Sequence, residues 1–74
     1  MNKQRRKEIA KAIALIEDAR EILECVLCEE QEAFDNMPES LQYSERGEAM
    51  EEYISTIEEF LEYLDTDELQ EIAE

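Results

Sequence analysis

Histidine and tryptophan are absent from this chain of 74 residues, and glycine and proline occur once each, as Gly47 and Pro38. Without histidine, the commonest general base and the commonest transition-metal ligand are missing. Most hydrolase, nuclease and zinc-enzyme constellations go with it. With so little glycine and proline there is little material for turns, so the sequence predicts long helices and an all-α fold. A chain this short forms one domain at most and buries a small fraction of its surface alone, which points to self-association or a partner. No run of roughly eighteen apolar residues occurs. The cationic start (Lys3, Arg5, Arg6, Lys7) leads into a segment interrupted by Lys11, Glu17 and Asp18, so neither a membrane span nor a secretory leader is expected. The expectation is a soluble, cytoplasmic protein without membrane contact.

Cations are scarce as well, with 7 Lys and Arg against 22 Asp and Glu and a net charge of −15. They are also displaced to one end. Residues 1–20 hold six of them, and after Arg20 the only other is Arg46. Direct binding of DNA or RNA is disfavoured, because affinity for nucleic acid rests on neutralising phosphates with Lys and Arg. An acidic surface suits a basic partner or the imitation of a nucleic acid.

What is present is apolar periodicity. Ile9, Ala12, Ile13, Ile16, Ala19, Leu23, Val26, Leu27, Ala33 and Phe34 recur at helical spacing and predict an amphipathic helix over about residues 3–35. Leu15 and Ile22 widen that band beyond what one partner helix covers, which implies a second contact surface. Asn36-Met37-Pro38 ends the helix, since Pro38 has no N–H to donate and pushes Met37 away from helical geometry. A connector over 36–43 follows. Ser44 is the predicted N-cap of a second helix over about 44–65, with Met50, Tyr53, Ile54, Ile57, Phe60, Leu61 and Leu64 as its buried stripe. Asp65-Thr66-Asp67 reads as a break and a new cap for a short helix over 66–74, with Leu69 and Ile72 facing inward. At about 1.5 Å per residue the first helix is roughly 45 Å long and the second roughly 30 Å. The terminal helix or a second subunit would cover the overhang of this antiparallel hairpin. Dimerisation into a four-helix bundle, or a higher oligomer, is the expected architecture.

Chemistry-bearing residues are few, and no catalytic or metal site can be assembled from them. Glu pairs such as Glu29-Glu30, Glu51-Glu52 and Glu58-Glu59 point in different directions on a helix and read as solvated surface. Glu48, Glu51 and Glu52 have a spacing that holds a cation elsewhere, but the di-iron pattern needs Glu-x-x-His. Cys25 and Cys28 have CxxC spacing, yet a redox CxxC sits at a helix N-terminus, whereas this pair lies mid-helix among Glu24, Glu29 and Glu30. They read as reduced thiols packed near an interface. Phe34, Tyr53 and Phe60 fall on the stripes and read as core, which leaves Tyr43 and Tyr63 free to stack on a ligand. Arg46 sits in the first turn of the second helix, where a cation opposes the dipole. It reads either as an ion pair with Glu45, Glu48 or a carboxylate of the first helix, or as part of an anion site with the N–H groups beside Ser44.

The run Phe34-Asp35-Asn36-Met37-Pro38-Glu39-Ser40-Leu41-Gln42-Tyr43-Ser44-Glu45-Arg46, followed by a Glu-rich amphipathic helix, resembles the connector of small helical-hairpin proteins from phages and prophages of Gram-positive bacteria. The resemblance covers about residues 5–65. It implies a host bacterial cytoplasm and a non-enzymatic role against host defence, with no cofactor. One form of that role sequesters a nucleotide immune signal in an oligomeric pocket, with phosphates on Arg46 or on Arg5 and Arg6 and the base on Tyr43 or Tyr63, beside Ser44. Another is an acidic inhibitor whose carboxylates over residues 45–74 occupy the basic groove of a nucleic-acid-handling host protein. A third is an assembly adaptor that docks through its apolar band.

Overall fold

The computed structural model describes all 74 residues, and every element in it is helical: α1 (Lys3–Asp35), α2 (Glu39–Gln42), α3 (Glu45–Tyr63) and α4 (Asp67–Ala73). The Asn2 side chain opens α1 by accepting the Arg5 N–H at 2.8 Å, which satisfies one of the free donors of the first turn. At the other end, the Asn36 N–H bonds the Glu32 carbonyl at 3.0 Å before Pro38 stops the helix. Gln42 then reaches back, and its Nε2 donates to the carbonyls of Phe34 (3.0 Å) and Met37 (3.3 Å). Acceptors that the end of α1 leaves without helical partners are thereby satisfied from the connector.

The chain reverses between α2 and α3. Ser44 caps α3 as expected, its Oγ accepting the Gly47 N–H at 3.4 Å while donating to the Leu41 carbonyl. Gly47 is buried in this corner. A Cβ at Gly47 would overlap the Gln42 carbonyl and stand 2.6 Å from the Leu41 carbonyl oxygen, so the two backbones approach this closely only because residue 47 has no side chain.

From that corner α3 and then α4 run back along α1. One row of each helix faces the other layer, at alternating spacings of three and four: Ile9, Ile13, Ile16, Arg20, Leu23, Leu27, Glu30 and Phe34 on α1, and Met50, Ile54, Ile57, Leu61 and Leu64 on α3. Leu69 and Ala73 continue the row on α4, which packs against the first half of α1 and covers the overhang. The result is a rod of 58 × 15 × 13 Å with a radius of gyration of 17.4 Å, against ~11 Å for a compact chain of this length. Being one helix pair thick, it buries only two hydrophobic side chains, Ile13 and Ile54, at 8% and 6% exposure, and encloses none completely.

The broad apolar band therefore divides differently from the expectation. Ala12, Ala19, Val26 and Ala33 are exposed, as are Tyr53 and Phe60, which the periodicity had assigned to the core, and Ile72. The physical reason is that two apolar rows run side by side on α1 and α3, and a two-helix layer can cover only one of them.

Polar contacts pin the far corner. Thr66 is 6% exposed, but its hydroxyl does not cap α4. Instead Thr66 Oγ1 donates to Glu17 Oε1 at 3.5 Å, and Gln70 Nε2 donates to the same oxygen at 3.2 Å and to Thr66 Oγ1 at 3.0 Å. The first turn of α4 is held by Asp65, whose Oδ1 accepts the Asp67 N–H at 3.0 Å. Arg20 extends from the α1 row to place its Nη1 3.5 Å from the Leu64 carbonyl, at the negative end of the α3 dipole. Both ion pairs of the molecule, Glu8–Lys11 and Arg20–Glu24, lie within α1. The hairpin is thus joined by apolar contact and hydrogen bonds, with no ion pair between helices. No helix is long and apolar enough to cross a membrane.

Candidate functional site

The residues nominated from the sequence occupy two ends and the middle of the rod. Tyr43, Ser44 and Arg46 lie at the α2–α3 corner. Tyr43 is 77% exposed, and Arg46 is exposed with no carboxylate within 4.0 Å, so the ion pair with Glu45 or Glu48 does not form. Arg5 and Arg6 lie at the opposite end, where Arg6 Nη1 is 3.4 Å from the Glu74 carbonyl. Along α1 these ends are separated by roughly 40 Å, so no single copy gathers all five side chains round one ligand. Tyr63, at the end of α3, is 83% exposed.

Three shallow depressions mark the surface, all along α1 between Glu21 and Asp35, and none is lined by any of these six residues. Cys25 and Cys28 are free thiols on the exposed surface rather than packed. No three Cys, Asp or Glu side chains gather in the arrangement of a metal site.

A stronger arrangement emerges from what flanks the inward rows. Moving one residue along a helix turns about 100° around it, so residues just before and just after an inward position lie on opposite sides of the hairpin. Because α1 and α3 are antiparallel, the same step puts both helices' residues on the same side. The pattern is confirmed where Cys28, Gln31 and Asp35 share a depression with Glu58, each one residue after an inward position. Glu17 and Gln70, also one residue after, are hydrogen-bonded to each other.

Preceding the inward residues Ile13 to Leu27 on α1 and Met50 to Leu64 on α3 are Ala12, Leu15, Ala19, Ile22 and Val26 and Ala49, Tyr53, Thr56, Phe60 and Tyr63, with no charge among them; the carboxylates on that side are Glu8, Glu29 and Glu68, before Ile9, Glu30 and Leu69. Following the same inward residues are Ala14, Glu17, Glu21, Glu24 and Cys28 on α1, Glu51, Ser55, Glu58 and Glu62 on α3, and Asp65 just past the end of α3. Seven of these ten are carboxylates and none is a cation, so the rod has a face that is uncharged over most of its middle and a carboxylate face, back to back. Neither face is visible in a residue count. The signal that reveals them is the identity of the neighbour on each side of an inward residue, which requires knowing which row is inward.

No protein-family model matches the chain, and no curated protein or solved structure is found to be similar to it.

Proposed function

We propose that the chain is a non-enzymatic, self-associating binding protein whose working surface is the carboxylate face, offered to the basic groove of a nucleic-acid-handling protein. The observation that carries this reading is the run of Glu17, Glu21, Glu24, Glu51, Glu58, Glu62 and Asp65 on one side of the rod, met by a single cation, Arg20, at Glu24. Carboxylates three or four residues apart on a helix stand about 5–6 Å from their neighbours. They match phosphate spacing only loosely, yet a single-sign surface steers a basic partner and competes with nucleic acid through its field. In the phage setting that the connector resembles, blocking such a host protein would counteract host defence.

Calorimetric titration with oligolysine tests the face. A variant with Glu21, Glu24, Glu58 and Glu62 all changed to Gln should lose most of the wild-type affinity. One with Glu32, Glu45, Glu52 and Glu59 changed, four carboxylates outside that row, should lose little. Equal losses would mean that only net charge matters, and would refute the assignment. Binding should also weaken steeply as salt rises.

The unpaired Arg46 beside the exposed Tyr43 favours a second reading, sequestration of an adenine-nucleotide signal between copies. A pocket that also uses Arg5 or Arg6 must take them from another copy, since the two ends lie so far apart. Under this reading a cyclic adenine dinucleotide binds the wild type and Arg46→Glu abolishes binding with helicity retained. Absence of binding heat from the wild type would end it.

A further inference from the structure

We infer that the uncharged face is the interface with a second copy of this chain, two hairpins closing face to face about a two-fold axis into a four-helix bundle with both carboxylate faces outward. The inference rests on the self-association in the proposed function and specifies its surface.

Area is the first argument. The hairpin exposes 6015 Å², whereas a compact monomer of 8.7 kDa exposes ~4,700 Å². The excess, ~1,300 Å², is larger than the ~800 Å² that each partner buries in an interface of standard size. On α1 the uncharged stretch from Ala12 to Val26 runs ~21 Å along a rod 15 Å wide, and it forms the centre of such an interface. The residues that make the excess are large and apolar: Ile22 is 64% exposed, and Leu15, Val26, Tyr53, Phe60 and Ile72 are exposed with it. A contiguous patch of this kind is rare on a monomer.

Charge selects the occupant. A copy bearing −15 repels another copy wherever their carboxylates meet, which excludes contact through the Glu17–Glu58 side. The opposite side carries one carboxylate, Glu29, between Ala12 and Ala33 on α1 and none before the inward residues of α3, so two copies meet there with the least repulsion. A basic partner, by contrast, gains nothing from an uncharged surface and is drawn to the acidic one. The face is also self-complementary, as two-fold contact requires. Ala19, Ile22 and Val26 on α1 lie level with Phe60 and Tyr63 on α3, so an axis that sets this stretch of α1 in one copy over that stretch of α3 in the other packs rings against aliphatic side chains.

Sedimentation equilibrium of the full chain at low and high salt tests the interface. The wild type should have twice the 8.7 kDa chain mass, with association tightening as salt screens the residual repulsion. Ile22→Glu and Phe60→Glu should each weaken association on the order of 100-fold and yield 8.7 kDa species of unchanged helicity, because neither side chain supports the single hairpin. Leu15→Gln provides a second, uncharged substitution in case a buried carboxylate perturbs folding. Glu58→Gln, on the other side, should leave the dimer intact. A wild type that stays monomeric at millimolar concentration overturns the inference, as does an Ile22→Glu variant of undiminished mass. Oligolysine titration separates the two readings: a monomer that binds it overturns the interface alone, and a dimer that ignores it overturns only the carboxylate surface.

Discussion

Replacing Gly47 by alanine opposes a local preference to a tertiary one, and the structure decides the sign. Within a helix, Gly→Ala normally stabilises by about 0.8–1 kcal/mol, since alanine restricts the unfolded backbone. At Gly47 the added methyl would overlap the Gln42 carbonyl and stand 2.6 Å from the Leu41 carbonyl oxygen. These are backbone atoms held by the α2 turn and by Gln42's bonds to Phe34 and Met37, so no flexible side chain can yield. Overpacking costs about 1–3 kcal/mol, and so close a contact with backbone atoms belongs to the upper part of that range, about 2–3 kcal/mol. Steric cost therefore exceeds propensity, and a net loss of about 1–2 kcal/mol is expected. Unfolding entropy for a chain of 74 residues converts each kcal/mol into about 6 °C of Tm, so the variant should melt roughly 6–12 °C lower. Far-UV circular dichroism melts at one fixed protein concentration measure this, because any oligomer makes Tm concentration-dependent. Ser55→Ala, at an exposed position of the same helix, isolates propensity and should gain a few tenths of a kcal/mol. If Gly47→Ala matched that small gain, the close approach of α2 to α3 would be refuted.

Three further substitutions probe the hairpin by urea unfolding at low protein concentration. Ile54→Ala should cost about 2–4 kcal/mol, a large part of the roughly 4–11 kcal/mol expected for a chain of this size, whereas Ile22→Ala should change the isolated hairpin by less than about 0.5 kcal/mol. A comparable loss at both sites would contradict the assignment of one row inward and the other outward. Thr66→Val keeps the buried shape but removes the donor to Glu17 and the acceptor for Gln70, at a cost of about 1 kcal/mol. An unchanged midpoint would show that Thr66 contributes by packing alone.

Helix positions were legible because their causes are local: apolar spacing in α1 and α3, the stop at Met37-Pro38, and the Ser44 cap. The partition of apolar residues was not. Ala12 and Ile13, or Tyr53 and Ile54, are adjacent in sequence and all uncharged, so periodicity alone merges their rows into one broad band. Only the pairing of α1 with α3 and α4 sends Ile13 and Ile54 inward and leaves Leu15, Ile22 and Phe60 outside. Thr66 illustrates the same limit, since its place before α4 predicts a cap while the nearness of Glu17, 49 residues away, redirects its hydroxyl. Gly47 was readable only as a scarce residue, because the clash it avoids belongs to the α2–α3 corner. Arg46 was visible as an isolated cation, but its lack of any carboxylate partner depends on how the corner turns.

How two copies of so acidic a chain can associate follows from the thickness of the layers. Each hairpin is about 13 Å deep, so closing two through their uncharged sides holds the carboxylate faces about two layers apart, well over the ~8 Å Debye length at physiological salt. Repulsion between those faces is then largely screened, and hydrophobic burial of the central side chains decides the outcome. The same distance makes the two outer surfaces electrostatically independent. A basic partner should accordingly bind one per chain, without cooperativity between faces, and raising the salt should release the partner while tightening the dimer. Simultaneous loss of both with salt would contradict the division of labour between the two sides, because an interface that shares carboxylates with the binding surface could not respond in opposite directions.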